Sequence, residues 1–232
     1  MEQYSRLTAE QIKAEQASFM TKVYGWMSVA LLITGFVAMF TASTPAMIEF
    51  IFGNMIVFWG LFIGEVLLVG YLASAISGMS ANMATAIFLS YAAINGLTLS
   101  AIFLIYTAGS IASTFFITAG TFAVMSVYGY FTKTDLTSMG NLLFMALIGL
   151  VIASVVNIFL KSEMLYWIST YVGVIIFVGL TAYDTQKVKE MNVIGNEGTD
   201  DDRKEAISGA LTLYLDFIGL FLYLLRIFGN RK

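Results

Sequence analysis

The chain has no cysteine, no histidine, a single proline, and only 12% charged residues among 232. Each shortage closes a class of function. Without cysteine there is no disulfide framework, no thiol nucleophile and no thiolate metal site; without histidine there is no imidazole ligand. The usual side-chain switch near neutral pH is also missing, so any response to pH must come from carboxylates in unusual surroundings. A formal charge of -3 gives no electrostatic footprint for nucleic acid, and no such partner is expected. No resident cofactor is expected either.

What fills the chain is apolar: 59% of residues are hydrophobic. Between Val23 and Thr132 the only acids or bases, tyrosines aside, are Glu49 and Glu65. A fold dissolved in water could not carry so greasy a surface, so the solvent is a lipid bilayer. An apolar helix of about 20 residues crosses the roughly 30 Å hydrocarbon layer. Seven segments qualify, near Val23–Ala42, Ile51–Ala73, Ala84–Tyr106, Ser110–Phe131, Asn141–Leu160, Leu165–Tyr183 and Ala206–Leu225. The uncharged run Ala84–Phe131 is too long for one crossing, and Thr107-Ala108-Gly109 breaks it into a hairpin. Pro45 sits just past the first span, where it cannot extend the helix. Small pairs such as Gly149 with Ala153 and Ala92 with Gly96 are expected at helix contacts.

The spacing predicts an all-α integral membrane protein of seven transmembrane helices. Residues 1–22 form a polar N-terminal segment, 23–228 the helical domain with a loop at 187–205, and 229–232 a tail. Met1–Lys22 is too long and too acidic for the charged start of a signal peptide and reads as a cytoplasmic lead-in. With that end inside, Arg6, Lys13, Lys22, Lys133, Lys187, Lys189, Arg203 and Lys204 lie on the inner side, and Lys161, Arg226, Arg231 and Lys232 outside. This bias in basic residues supports a cytoplasmic N-terminus. The basic tail fits poorly outside; a re-entrant last segment would return it.

An ionisable group within a span costs about 2.5–3.5 kcal/mol at the bilayer centre on insertion scales. Three acids therefore stand out: Glu65, Asp184 and Asp216. Asp216 shares a helical face with Gly209, Thr212, Gly219 and Tyr223, a small and polar stripe suited to the bundle interior. A neutral acid bonded to a backbone carbonyl is the plainer reading. Asp184, one turn before Lys187, could be solvated at the interface. Taken together the balance changes: the two lie on antiparallel neighbours, and if the seventh helix begins inside, near Arg203, they sit at similar depth. Two close carboxyls in a low dielectric cannot easily both ionise, so they can share a proton, release it as pH rises, and then offer oxygen ligands to a cation.

Glu65 has only Leu61, Phe62, Leu68 and Val69 on its face, which leaves a locally bonded, protonated acid as the alternative. Glu49 reads as solvated at the outer interface. Asn95, with Tyr91 and Thr98 on its face, and Asn157 suit interhelical hydrogen bonds. The segment Gly195-Asn196-Glu197-Gly198-Thr199-Asp200-Asp201-Asp202 lacks the alternating acids of a calcium loop and reads as a solvated turn capping the last helix.

At these residues the chain resembles the transmembrane Bax-inhibitor-motif family, especially its bacterial members. The matching stretches are Tyr91 to Ser100, Thr118 to Phe122 and Tyr128 to Thr132. The most specific are Tyr183-Asp184-Thr185-Gln186 and Leu213-Tyr214-Leu215-Asp216-Phe217-Ile218. The resemblance implies six helices surrounding the last one and a pH-dependent calcium leak, with calcium as the transported ion rather than a cofactor. It implies that Asp184 and Asp216 are the proton-sensing pair and possible calcium ligands, and that Glu65 belongs to the ion path. It also implies a bacterial inner membrane. Relatives often carry an arginine latch near the inner end of the second span; here Ala73-Ser74-Ala75-Ile76-Ser77-Gly78 has no base.

Two other readings compete. Intramembrane aspartyl proteases also carry a Tyr-Asp pair, but they match it with Gly-x-Gly-Asp and a later Pro-Ala-Leu. Here Leu213-Tyr214-Leu215 precedes Asp216 and no proline follows Pro45, so no enzyme is expected. A non-transporting regulator that binds other membrane proteins, such as a membrane-anchored quality-control protease, is the alternative to a channel. It would survive loss of both aspartates.

Overall fold

A computed structural model describes residues 8–232; Glu2 and Arg6 of the N-terminal segment lie outside them. Among the described residues the elements are helical throughout: α1 (Ala9–Ala42), α2 (Pro45–Phe52), α3 (Met55–Ala75), α4 (Ala81–Leu99), α5 (Ala101–Ile105), α6 (Ala108–Phe131), α7 (Thr137–Leu160), α8 (Glu163–Met191) and α9 (Asp200–Phe228). Seven stretches are long and apolar enough to cross a membrane, namely α1, α3 with the 3-10 turn after it, α4 with α5, and each of α6 to α9.

The first backbone N–H groups of a helix have no partner within it. Here polar side chains take them. Thr8 and Gln11 form a reciprocal capping box on α1, Asn54 accepts from Ile56 and Val57 on α3, Ser80 from Met83 on α4, and Thr107 from Ser110 on α6. The Thr107 cap marks the predicted break in the long uncharged run.

Other boundaries differ from those the hydropathy suggests. The helix of the first span begins at Ala9 rather than Val23, because the mixed-charge lead-in continues it. Ile51 belongs to the short α2, opened by Pro45 at its first turn, and the second span starts only at Met55. The loop expected at 187–205 narrows to 192–199. Finally, α9 is one unbroken helix of 29 residues, roughly 43 Å long at 1.5 Å per residue, long enough for a full span and without the break a re-entrant segment needs.

The chain forms two compact units. In the first, which takes the residues up to Ile105 and Lys189–Tyr214, α4 packs on both α1 and α3. Gly96 permits the first contact: a Cβ there would stand 2.7 Å from the Thr34 carbonyl oxygen and 2.8 Å from Val37 Cβ. Tyr214 is fully buried, with the rings of Phe88 and Tyr91 edge-on at 6.0 and 5.8 Å. In the second, Tyr106–Val188 with Leu215–Lys232, Phe217 packs between Phe115 and Phe122, and Leu150, Ile176 and Leu180 form a further cluster.

The last helix supplies core residues to both units. Half of its most apolar window is buried, against 6% for α7. Accordingly α7 is a lipid-facing wall, and Gly149 faces open space rather than a neighbouring helix, so its expected contact with a partner helix does not form.

Candidate functional site

The second unit sets α8 against α9 along a seam of small residues and rings. Gly219 receives the Phe177 ring, and Gly173 receives that of Tyr223, whose nearest ring atom would stand 2.6 Å from an added Cβ. The rings of Phe177 and Tyr223 then meet at a tilt of 31°, their centroids 5.8 Å apart. Residues 173, 177 and 184 share a face of α8, so the same seam continues to Asp184. There it meets Asp216, and the two carboxyls are hydrogen-bonded to each other. Asp216 is buried and Asp184 half-buried. Oδ2 of Asp216 has no partner among the described residues.

Residues around Asp184 are pinned one by one. Ala182 lies against Gly129 of α6 so closely that no side chain fits between them. The Tyr183 ring covers Gly140 of α7, and Lys187 sits over that ring at 5.7 Å from its centroid. Thr185 shares a hydrogen bond with Ser126 of α6 at 3.1 Å. Gln186 accepts from Leu136 N at 2.9 Å and donates to the Thr134 carbonyl at 3.0 Å, closing the turn between α6 and α7. Asp184 is thus presented by a segment with little freedom to move alone.

Chemically, a hydrogen bond between two carboxyls needs a proton on at least one of them. When both ionise, the bond becomes a repulsion. As a cation site the pair is thin: it offers two carboxyls, while calcium takes six to eight oxygens, and no cluster of three or more potential acidic or imidazole ligands occurs among the described residues.

Glu65 belongs to the first unit, and its partners come from α4 rather than its own helix. Buried, it accepts from Thr98 Oγ1 at 2.8 Å and is hydrogen-bonded to the Asn95 side chain. Asn95 Oδ1 in turn accepts from the Tyr214 hydroxyl at 3.2 Å, which shares a 2.7 Å bond with Thr34. Thr34 also donates to Ala92 O. The interhelical role expected of Asn95 is therefore present. Asn157 differs: its Oδ1 accepts from Ser162 N at 2.9 Å and closes the turn after α7.

Two features escape the sequence pattern. Tyr214 and Thr34 look like ordinary core residues, and only the fold brings them to Asn95. The run Asp200-Asp201-Asp202 is more than a solvated cap. Asp200 accepts from Ala81 N at the start of α4, Asp201 pairs with Lys204, and Asp202, 1% exposed, holds Lys22 of α1 at 2.7 Å. Glu49 is exposed, as expected.

Seven apolar spans with a bonded aspartate pair between the last two define a polytopic membrane protein. The chain belongs to the Bax-inhibitor family: the family model described as inhibitor of apoptosis-promoting Bax1 matches residues 16–232. Among its relatives, the inner membrane protein YbhL of Escherichia coli K12 is 56% identical over 223 residues, covering 96% of this chain and 95% of that protein. An uncharacterised protein of Borreliella burgdorferi is 48% identical, with 92% of each chain covered. One of Rickettsia prowazekii is 46% identical, covering 92% of this chain and 90% of its own.

Proposed function

We propose that the protein is a pH-sensitive calcium leak channel of a bacterial inner membrane, with its N-terminus cytoplasmic and its gate at the Asp184–Asp216 pair. The observation that carries this reading is the carboxyl–carboxyl hydrogen bond between α8 and α9. While the pair keeps a proton, that bond joins the two helices. When the proton leaves, two like charges face each other and the seam parts there. Glu65 is the acid of the ion path, and calcium and protons are the species moved or sensed. No catalytic step enters this reading. The likeness to YbhL supports the inner-membrane assignment, and the excess of Lys and Arg on the N-terminal side supports the orientation.

The test is calcium entry into dye-loaded proteoliposomes between about pH 5 and 8. Wild-type flux is expected to rise with pH. Asp184→Asn and Asp216→Asn each leave at most one charge at the pair and keep a hydrogen bond there, so both variants should stay at the low-pH level throughout. Folded wild type that passes no calcium at any pH would overturn the channel reading. The regulator that binds other membrane proteins would then be the better account.

A further inference from the structure

At the end of the second unit away from the aspartates lies an open cleft of about 600 Å³ between the α7–α8 turn and the end of α9. Glu163 opens α8 there, and Asp184 lies 21 positions later, roughly 30 Å along the helix. Three cations line the cleft, Lys161, Arg226 and Arg231, against one acid, Glu163. None of the three makes an ion pair among the described residues.

Both arginines are also held in place, and the backbone of the lysine is fixed by a helix end. Lys161 ends α7 in the left-handed conformation, φ 51°. Arg226 lies over the rings of Tyr223 and Tyr166 at 4.8 and 5.4 Å. Arg231 is fixed by backbone pairing with Tyr106 and donates to the Tyr166 hydroxyl at 3.3 Å. Converging, unpaired cations of this kind call for an anion with several acceptor oxygens.

The surroundings say which anion. Phe159, Leu160 and Met164, 80%, 64% and 75% exposed, stand beside the cleft on the last turn of α7 and the first of α8. Trp167 and Tyr166 line it, and rings of this kind favour the headgroup level of a bilayer. A free phosphate would use the cations and ignore the apolar wall; a phospholipid would use both.

We infer that this cleft binds the headgroup of an anionic phospholipid, its phosphate among Lys161, Arg226 and Arg231 and its acyl chains along the exposed end of α7. The basic tail, out of place by the loop-charge rule, then has a use on the side where it lies.

The test uses Trp167 as reporter. In full-length protein carrying Trp26→Phe and Trp59→Phe, quenching is compared for phosphatidylglycerol and phosphatidylcholine with brominated acyl chains at equal mole fraction. Brominated phosphatidylglycerol should quench more strongly. Lys161→Asn, which suits the left-handed backbone, should cut that preference roughly fivefold, and adding Arg231→Gln should cut it further. Should Arg231→Gln loosen the tail, the Lys161→Asn comparison stands alone. Equal quenching by the two lipids, or a preference untouched by Lys161→Asn, would overturn the inference. So would loss of the preference on adding millimolar inorganic phosphate, since the cleft would then take a free anion.

Discussion

Gly129 and Gly149 lie in apolar helices of the same unit, yet replacing each by alanine should have opposite effects. At Gly129 a Cβ would fall on the Ala182 carbonyl oxygen, with the carbonyl carbon at 2.9 Å and Cα at 3.0 Å. Ordinary carbon–carbon contact is about 3.5–4.0 Å, so α6 and α8 must part by several tenths of an ångström at least. Overpacking costs about 1–3 kcal/mol, and backbone cannot rotate away, which puts this site near about 3. Alanine returns about 1 kcal/mol of helix propensity, leaving a net loss of about 2 kcal/mol. At Gly149 nothing lies within 4 Å, so only the propensity gain remains. The two variants should differ by about 3 kcal/mol, which corresponds to roughly 6–12 °C in Tm for a chain of this size. Thermal unfolding of detergent-solubilised protein, followed by intrinsic fluorescence, reads this directly. Because Ala182 is two residues from Asp184, Gly129→Ala should also disturb the pH profile of calcium flux without touching either aspartate. If it melts with the wild type, or if Gly149→Ala is the weaker of the two, the tight α6–α8 contact is wrong.

Two further outcomes follow from the polar contacts of the first unit. Asp202→Ala removes the bonds to Lys22 and to Gly198 N, and should cost about 2 kcal/mol, the scale of charge-assisted hydrogen bonds; the same melting assay checks it. Tyr214→Phe keeps the ring among Phe88 and Tyr91 but deletes the hydroxyl between Thr34 and Asn95. A loss of about 1–2 kcal/mol is expected, and no loss would mean that the hydroxyl carries none of the network.

The span count was legible because a bilayer imposes a length on every apolar helix, and seven such lengths separated by polar breaks have few other readings. The aspartates were legible for a related reason: an acid with Gly219 and Tyr223 on its face has somewhere to point. Glu65 shows where that logic stops. Its own helix offers only apolar neighbours, because Thr98 and Asn95 reach it from α4, and no periodicity within α3 can reveal a partner on another helix. The same holds for Asp202, whose neighbours in sequence suggest a solvated run while Lys22, 180 positions earlier, buries it in an ion pair. The misplaced expectations at Gly149 and Asn157 have the converse cause. Small and polar residues suit helix contacts in general, but only packing decides which of them face a helix, a turn or lipid.

Hydrogen-bond stoichiometry separates the two acid centres. At Glu65 the Thr98 hydroxyl donates to a carboxyl oxygen that needs no proton of its own, and the Asn95 amide has both donors and an acceptor to adapt. Those bonds outlast a change in the charge of Glu65. At Asp184 and Asp216 neither partner has any donor except an acid proton, so the bond between them exists only while that proton stays. The neighbours of Asp184 are anchored elsewhere, Ala182 at Gly129, Thr185 at Ser126 and Gln186 at the α6–α7 turn, so losing the proton cannot be absorbed by Asp184 shifting along its own helix. Any strain must then appear at the α8–α9 seam, where Phe177, Gly219 and Tyr223 interlock. On the proposed reading, the pH response belongs to the pair, and Glu65 is the group that a passing cation meets.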